Sequence, residues 1–306
     1  MLKAIAVGRI SYDINVMVDE MPKEGSTNEY FEKQGNGGGA AANMGFALAR
    51  WGIQVSMAGV LGNDVNGTRI KKEFERVHMD TRYLEPSYDN DTPISIITIN
   101  KATKMHTIYN ISDKYVGLKK CDFDFTPDLI IMDGYDVVAN KMILERFPKS
   151  ISVLDCSIIT KSVADLLKRV KYAVMTQEFA EALTGQKIDF QDLKTVSEVY
   201  QRIQKNYLNL QFVITIGSRG AVYKVDNQIK ISPSLKVDVV DTYGCGEIFR
   251  AAFGYVLVEG GDFEKAVKWG CIAGSLTATK YGCRPAIPSL EELNNIYEQN
   301  YWSFHR

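Results

Sequence analysis

Apolar residues recur along this chain in two alternating patterns. Six short runs are rich in β-branched and other apolar residues, which predicts buried strands; they lie at residues 4–8, 55–60, 129–133, 151–155, 172–175 and 212–216. Apolar residues spaced as on one face of a helix lie between the later runs, at residues 138–147, 162–169, 177–184 and 191–205. This alternation predicts an α/β fold with a mostly parallel sheet, helices on both faces, and ligands at the carboxyl ends of the strands.

Three stretches lie outside this alternation. Residues 14–31 alternate loosely around a turn at Met21–Gly25, and residues 92–99 and 105–111 are strand-like runs joined by a polar turn. Alternating runs with turn residues between them favour a separate small sheet.

Residues 237–258 predict a strand, a glycine turn and a helix. The β-branched run 237–240 favours the strand, Gly244 and Gly246 make the turn, and the apolar residues that follow have helical spacing. Free backbone N–H groups at the start of a helix stabilise an anion or a developing negative charge. Glu247 lies in the first helical turn beside that position, where an acid also complements the helix dipole without any further role.

A second glycine-rich segment, residues 35–43, precedes a predicted helix that runs to Trp51. Small residues let a ligand approach the backbone, although a flexible linker has the same composition. The spacing before a long amphipathic helix favours a binding role. Taken alone, Asp13 after the first strand is an ordinary loop acid, and Asp64 equally suits the start of the helical segment 68–77.

Composition narrows the class of protein. The 306 residues, 45% hydrophobic and 24% charged, suffice for one large α/β domain with a small appendage. A net charge of −1 argues against a nucleic acid or a membrane as partner, and the first apolar run is too short for a signal peptide, so we expect a cytoplasmic protein. Five scattered cysteines and three histidines indicate neither a disulfide framework nor a zinc site.

The segment Asp-Thr-Tyr-Gly-Cys-Gly-Glu at residues 241–247 resembles the signature of the ribokinase-like (PfkB) carbohydrate kinases. That signature usually reads Asp-Thr-x-Gly-Ala-Gly-Asp, and its last acid is the base that takes the proton from the sugar hydroxyl. The resemblance makes Glu247 the base, with a longer side chain than usual. It makes Gly244, Cys245 and Gly246 the anion hole that stabilises the transferred oxygens.

The same resemblance extends to the acceptor site. Gly38, Gly39 and Asn43 match the family's Gly-Gly-x-x-x-Asn pattern, in which the glycines lie under the sugar and the asparagine binds its hydroxyls. Asp13 matches the position of an aspartate that binds sugar hydroxyls. These four residues are therefore expected to bind the acceptor.

Two further segments concern the nucleotide and the metal. Thr215, Gly217 and Gly220 match the family's Thr-x-Gly-x-x-Gly nucleotide loop. Thr176 and Phe179 occupy the positions of the family's Asn-x-x-Glu motif, which organises magnesium-bound water and phosphates, so the metal ligands stay unassigned. The family's C-terminal region walls the adenine pocket and contributes to a monovalent-cation site; its usual asparagine corresponds to Cys271.

Over its whole length, the chain is thus expected to form a single ribokinase-like domain, residues 1–306, of three α/β/α layers. Segments 10–33 and 89–115 would form a β-sheet lid, and pairing of two lids would make a homodimer. The expected function is ATP-dependent phosphorylation of a primary hydroxyl of a small sugar or nucleoside, with Mg²⁺ and a monovalent cation as cofactors. The alternative is a sugar or nucleotide sensor that has lost turnover, because both the metal positions and the base have changed.

Overall fold

The computed structural model describes residues 1–30, 33–112, 117–190 and 192–303. Within them, nine strands form one sheet in the order β13-β12-β11-β10-β9-β8-β1-β4-β5, and four form another in the order β3-β2-β6-β7. The strands are β1 Lys3–Val7, β2 Ser11–Val18, β3 Lys33–Gly38, β4 Gln54–Gly62, β5 Leu84–Ser87, β6 Ile94–Asn100, β7 His106–Ile111, β8 Leu129–Met132, β9 Ile151–Cys156, β10 Tyr172–Thr176, β11 Gln211–Thr215, β12 Ala221–Val225 and β13 Gln228–Ser232.

The helices flank the larger sheet. They are α1 Ala40–Arg50, α2 Val65–Arg76, α3 Val137–Arg146, α4 Lys161–Leu166, α5 Gln177–Thr184, α6 Leu193–Asn206, α7 Cys245–Val258, α8 Phe263–Thr277, α9 Cys283–Ala286 and α10 Leu290–Ser303. The prediction of strands alternating with helices after residue 128 is confirmed, with small shifts at the ends of the elements.

Strand β1 shows why the protein has three layers. Successive side chains of a strand point to opposite faces, and Ala4 and Ala6 pack with α1, α7 and α8 in one core, whereas Ile5 and Val7 pack with α3 to α6 in the other. All four side chains are fully buried. A strand covered on both faces is apolar throughout, as the run at residues 4–8 indicated.

The carboxyl ends of the central strands meet at one edge of the sheet. Strand β1 pairs in parallel with β4 and β8, and the parallel pairing continues through β9 and β10 to β11. Asp133, directly after β8, and Asp155, near the end of β9, are both buried at this edge. In the described part of this sheet only the pairings of β12, with β11 and with β13, are antiparallel; β12 and β13 form a terminal hairpin that the sequence pattern did not predict.

In the smaller sheet, the second strand lies further along the chain than predicted. The strand pair was expected within residues 14–31, but β2 pairs with the glycine-rich segment Lys33–Gly38. Glycines suit this strand because neighbouring side chains fill the space beside it: a Cβ at Gly35 would lie 2.4 Å from the Tyr12 hydroxyl. Residues 31–32 and 113–115 of the expected lid lie outside the described residues.

The prediction of a strand at residues 237–240 is wrong. This segment has no strand structure, and Val239 is 37% exposed. The Val240 N–H donates to the Ala278 oxygen at the end of α8, at 2.8 Å, rather than to a neighbouring strand. Val237 and Val239 instead line a cleft, which explains why the segment is apolar without belonging to a sheet.

Candidate active site

The glycine turn at residues 244–246 has the predicted geometry. Gly244 has a φ of 86°, and a Cβ there would lie 2.4 Å from the Cys283 sulfur, so glycine is required for both conformation and space. Helix α7 begins at Cys245. No backbone oxygen of the described residues accepts a hydrogen bond from the Gly246 N–H. The turn therefore presents a free donor and the positive end of a helix dipole.

Glu247 is half-buried in the first turn of α7. The pKa of its carboxyl is raised to about 7, mainly by burial and to a smaller extent by the negative charge of Asp155. A carboxyl group with a pKa near neutrality exists in both protonation states at physiological pH, which is the property required of a general base.

Beneath this turn lies a buried ion pair that the sequence did not reveal. The Arg250 Nε lies 2.8 Å from Asp155 Oδ1, and both side chains are at least 96% buried, with exposed fractions of 4% and 2%. Arg250 also approaches Gly246, where a Cβ would lie 2.7 Å from its Nη1. Arg250 occupies an otherwise apolar helix face, so no pattern indicated its partner.

Asp13 lies on β2 and faces the glycine turn. Its Oδ1 accepts a hydrogen bond from Ser11 Oγ at 2.8 Å, and its Oδ2 accepts one from the hydroxyl of Tyr243. Burial raises the pKa of this carboxyl, although the hydrogen bonds oppose the shift. A Cβ at Gly38 would lie within 1.8 Å of Asp13 Oδ2, so the predicted acceptor residues Asp13 and Gly38 are direct neighbours.

Asn43, at the end of the first turn of α1, is oriented by a buried arginine. The Arg284 Nε donates to Asn43 Oδ1 at 3.1 Å, and an Arg284 Nη1 pairs with Glu73. Because a guanidinium only donates, the amide oxygen of Asn43 must face Arg284. The Nδ2 of Asn43 is then left buried with no hydrogen-bond partner in the described part of the chain.

Asp133 anchors the backbone beneath the acceptor residues. Its Oδ2 accepts from the N–H groups of Arg9, at 2.9 Å, and Ala41, at 3.3 Å, so it joins the end of β1 to the start of α1. Gly39 lies between these points with a φ of 95°, and a Cβ there would lie 2.3 Å from the Arg9 oxygen. Burial raises the pKa of Asp133 to about 6.

The predicted nucleotide loop opens into a cleft of about 270 Å³. Thr215, Gly217 and Gly220 line it, together with Cys245 and Gly246 of the glycine turn. The structure thus brings the two predicted segments together. The remaining wall is mainly apolar and includes Cys271, and such a lining suits the flat face of a nucleobase.

The smaller sheet contacts the glycine turn through its β6–β7 hairpin. The Thr242 hydroxyl donates to the Lys104 oxygen at 2.9 Å, and His106 Nδ1 lies 3.2 Å from Thr242 Oγ1. Since that hydroxyl already donates, His106 Nδ1 carries the proton in this contact. The ring of His106 also meets the ring of Tyr243 edge-on, with centroids 5.7 Å apart. The hairpin therefore covers one side of the turn.

The two positions of the altered metal motif have structural roles. Thr176 caps helix α5 by accepting from the Phe179 N–H at 3.1 Å, and Phe179 is buried in the second core. The nearby Glu181 carboxylate pairs with Lys187 at 2.6 Å. No group of three or more potential metal ligands exists among the described residues.

A mostly parallel α/β sheet, a cleft at the carboxyl ends of its strands, a glycine turn with a free N–H donor and a nearby acid are the parts that phosphoryl transfer requires. The chain belongs to the pfkB family of carbohydrate kinases, whose family model matches residues 1–290. No helix within the described residues is long and apolar enough to cross a bilayer.

Several known proteins are similar over nearly their whole length. The chain is 28% identical to the ribokinase of Bacillus subtilis, covering 95% of this chain and 97% of that protein. It is 25% identical to the deoxyribokinase of Salmonella typhi, covering 96% and 98%. The structure of Arabidopsis thaliana ribokinase complexed with ribose and ATP aligns with a TM-score of 0.78 at 20% identity, covering 96% and 98%. The predicted family and ribokinase-like α/β fold are confirmed.

Proposed function

We propose that this carbohydrate kinase transfers the γ-phosphoryl group of ATP to a hydroxyl of a small sugar, with Glu247 as the general base. One observation carries the assignment of the base. The carboxylates of Asp13, Asp133, Asp155 and Asp241 each hydrogen-bond or pair with other residues. Glu247 accepts no hydrogen bond from another side chain of the described residues and is hydrogen-bonded only to its own backbone, so its carboxylate is available for a proton.

The remaining residues have complementary tasks in this proposal. In-line phosphoryl transfer requires positioning and charge stabilisation more than covalent chemistry. The N–H groups of residues 244–246 would stabilise the transferred oxygens, that of Gly246 being free among the described residues and that of Cys245 making only a long bond of 3.4 Å to the Thr242 oxygen. Asp13 offers only acceptors and Asn43 Nδ2 only donors, which is the pairing that orients a hydroxyl group. Thr215, Gly217 and Gly220 would hold the nucleotide.

Magnesium would be bound mainly by the phosphates of ATP. Mg²⁺ usually keeps several waters and takes one or two carboxylates plus substrate phosphates, so it needs no complete protein cage. The absence of a ligand cluster among the described residues is consistent with this arrangement. Titrating Mg²⁺, and exchanging K⁺ for Na⁺, in an ADP-release assay tests both proposed cofactors.

The decisive experiment compares the wild type with Glu247→Gln across a panel of sugars, with ADP release as the measurement. Removing a general base costs roughly 10² to 10⁴ in rate, and the amide preserves shape while losing proton acceptance. We expect ADP release from the wild type and almost none from Glu247→Gln. Equal, background release from both proteins, with sugar and ATP still bound by calorimetry, would favour the sensor instead.

The Glu247→Asp variant tests whether the site is adapted to glutamate rather than to the shorter aspartate. Shortening the side chain moves the carboxylate by about 1 Å, a displacement that can change the rate about a hundredfold. Lower activity than the wild type would show a site adapted to glutamate. Higher activity would show that the family's usual aspartate still fits better.

We also propose that the smaller sheet, made of β2, β3, β6 and β7, is the lid, and that it pairs with a second copy. Strand β7 is an edge strand in the described part of that sheet, and Ile108, Tyr109 and Ile111 on it are 40%, 56% and 54% exposed. Exposed apolar edges favour association. Sedimentation should show a dimer that Tyr109→Lys weakens; a monomeric wild type would contradict this proposal.

A further inference from the structure

Arg284, the second residue of α9, is buried against the predicted acceptor residues, and only 4% of its side chain is exposed. Its Nη1 pairs with the Glu73 carboxylate of α2 at 2.5 Å, and its Nε donates to Asn43 Oδ1 at 3.1 Å. A guanidinium presents its N–H groups in a rigid planar fork, so the contact with Glu73 also fixes the direction of the Nε–H bond. Asn43 therefore meets a donor whose position is set by a third residue.

The guanidinium of Arg284 is enclosed on several sides. Its Cζ lies over the rings of Phe46 and Phe74, at 4.8 Å and 5.1 Å from their centroids. A Cβ at Gly37 would lie 2.1 Å from Arg284 Nη1, so the backbone of β3 approaches the same group closely. The Glu73 carboxylate also accepts from the Gly37 N–H, at 3.0 and 3.1 Å. Packing, charge and a backbone contact thus hold the Arg284–Glu73 pair in one geometry.

The contact with Arg284 decides which end of the Asn43 amide is left for a ligand. The oxygen of an amide only accepts hydrogen bonds, and its nitrogen only donates them. Since Oδ1 bonds to Arg284, the group that is left is Nδ2, which is buried without a partner in the described part of the chain. An amide that is free to turn presents this donor only part of the time, and the observed affinity falls with the fraction of molecules that are competent to bind.

We infer that Arg284 is a positioning residue for the acceptor: held by Glu73, it orients the Asn43 amide so that Nδ2 donates to the sugar. This inference rests on the proposed function, in which Asn43 binds the acceptor. It makes sugar affinity depend on an ion pair between α2 and the C-terminal part of the chain, neither member of which belongs to the sequence motifs of the acceptor site.

Calorimetric titration with ribose, with 2-deoxyribose and with ATP tests the inference. Arg284→Met removes the donor but keeps a long side chain, so the Asn43 amide loses its fixed orientation. We expect the affinity for the tighter-binding sugar to fall about tenfold and the affinity for ATP to stay unchanged. Arg284→Lys keeps a charge for Glu73 but lacks the planar fork, so it should keep the wild-type Tm and still lose sugar affinity.

A double-mutant cycle with Asn43→Ala identifies the route by which Arg284 acts. Once the amide is absent, Arg284→Met should change the sugar affinity by less than about twofold, because residues of one hydrogen-bonded network do not act additively. The Nη2 of Arg284 is also buried without a partner among the described residues. If Nη2 contacts the sugar directly, Arg284→Met will cause a further loss in the Asn43→Ala protein, and that result would overturn the positioning role.

Arg50→Met is the matched control. The Arg50 Nη1 donates to the backbone oxygen of Arg284 at 3.2 Å, a contact with the same segment that does not involve Asn43, so the sugar affinity should stay unchanged. The inference is overturned if both Arg284 variants keep the wild-type sugar affinity, if Arg284→Lys loses sugar and ATP affinity equally, or if neither sugar binds to the wild type. The Arg284→Lys measurement stands even if Arg284→Met fails to fold.

A separate ADP-release assay distinguishes this inference from the proposed function. A sugar affinity that depends on Arg284 through Asn43, without ADP release from the wild type, supports the role of Arg284 and removes the kinase activity. ADP release from the wild type, with an unchanged KM for the sugar in both Arg284 variants, keeps the kinase activity and overturns the role of Arg284.

Discussion

Replacing Glu247 by glutamine should stabilise the folded protein, and the gain should depend on pH. The folded state raises the pKa of Glu247 from 4.5 to about 7, mainly through burial. Such a group contributes stability that is fully present below its unfolded pKa and is lost as the pH rises through the folded pKa. Each pKa unit corresponds to about 1.4 kcal/mol, so ionisation of Glu247 costs the folded state about 3 kcal/mol at pH 8.

Glutamine does not ionise and escapes this cost. Glu247→Gln should therefore be about as stable as the wild type near pH 4.5 and more stable by up to about 3 kcal/mol at pH 8, with the difference growing between those values. For a protein of this size, that corresponds to a rise in Tm of about 5 °C. Thermal unfolding of both proteins at half-unit pH steps measures the difference.

Glu75→Gln is the control, because Glu75 is exposed on α2 and surface substitutions usually change stability by less than about 0.5 kcal/mol. A gain of the same size at pH 5 and pH 8 would mean that packing, not charge, causes it. A loss of stability at every pH would refute the reasoning, since it would show that the ionised carboxylate is stabilised where it lies.

Three further predictions concern the surroundings of Glu247. Asn43→Ala should weaken sugar binding about tenfold or more and leave ATP binding unchanged in calorimetry, since it removes the free donor; equal losses would contradict the acceptor assignment. Asp155→Asn should destabilise the protein by about 3–5 kcal/mol in urea unfolding, because Arg250 keeps its buried charge without a partner. Hydrogen exchange of β2 and β6 should slow when sugar binds while that of β11 stays constant; uniform slowing would argue against a mobile lid.

Local patterns predicted most of the larger sheet. The apolar run at residues 4–8 could be assigned because a strand covered on both faces has no polar positions. The helix that starts after Gly244 was equally readable, since Gly-rich turns and helical spacing are both short-range signals. The nucleotide loop and the glycine turn, which the sequence motifs singled out separately, line one cleft.

The residues that the sequence analysis missed depend on long-range contacts. Arg284 acts through Glu73, 211 residues away, and Tyr243 acts through Asp13. Neither partner can be read from periodicity, because each contact exists only after α2 or β2 packs against the C-terminal part of the chain. The prediction of a strand at residues 237–240 was wrong for a different reason. Its β-branched residues are apolar because Val237 and Val239 line a cleft, not because they belong to a sheet.

The structural roles of the three altered residues bear on the choice between the sensor and the kinase. The sensor hypothesis relied on Thr176, Phe179 and Glu247 having changed together, as relaxed catalysis would allow. Thr176 caps helix α5, and Phe179 fills the second core. These structural roles explain both residues without a loss of catalysis.

Glu247, unlike Thr176 and Phe179, has no structural role that would explain its presence. Natural proteins tolerate a destabilising group mainly where function requires it, and a half-buried carboxyl with a pKa near 7 is such a group. A protein that only bound sugar and nucleotide would lose nothing by holding a glutamine there and would gain stability at neutral pH. The retained acid therefore favours a working base over a relic, and the pH dependence of Glu247→Gln measures the cost on which this argument depends.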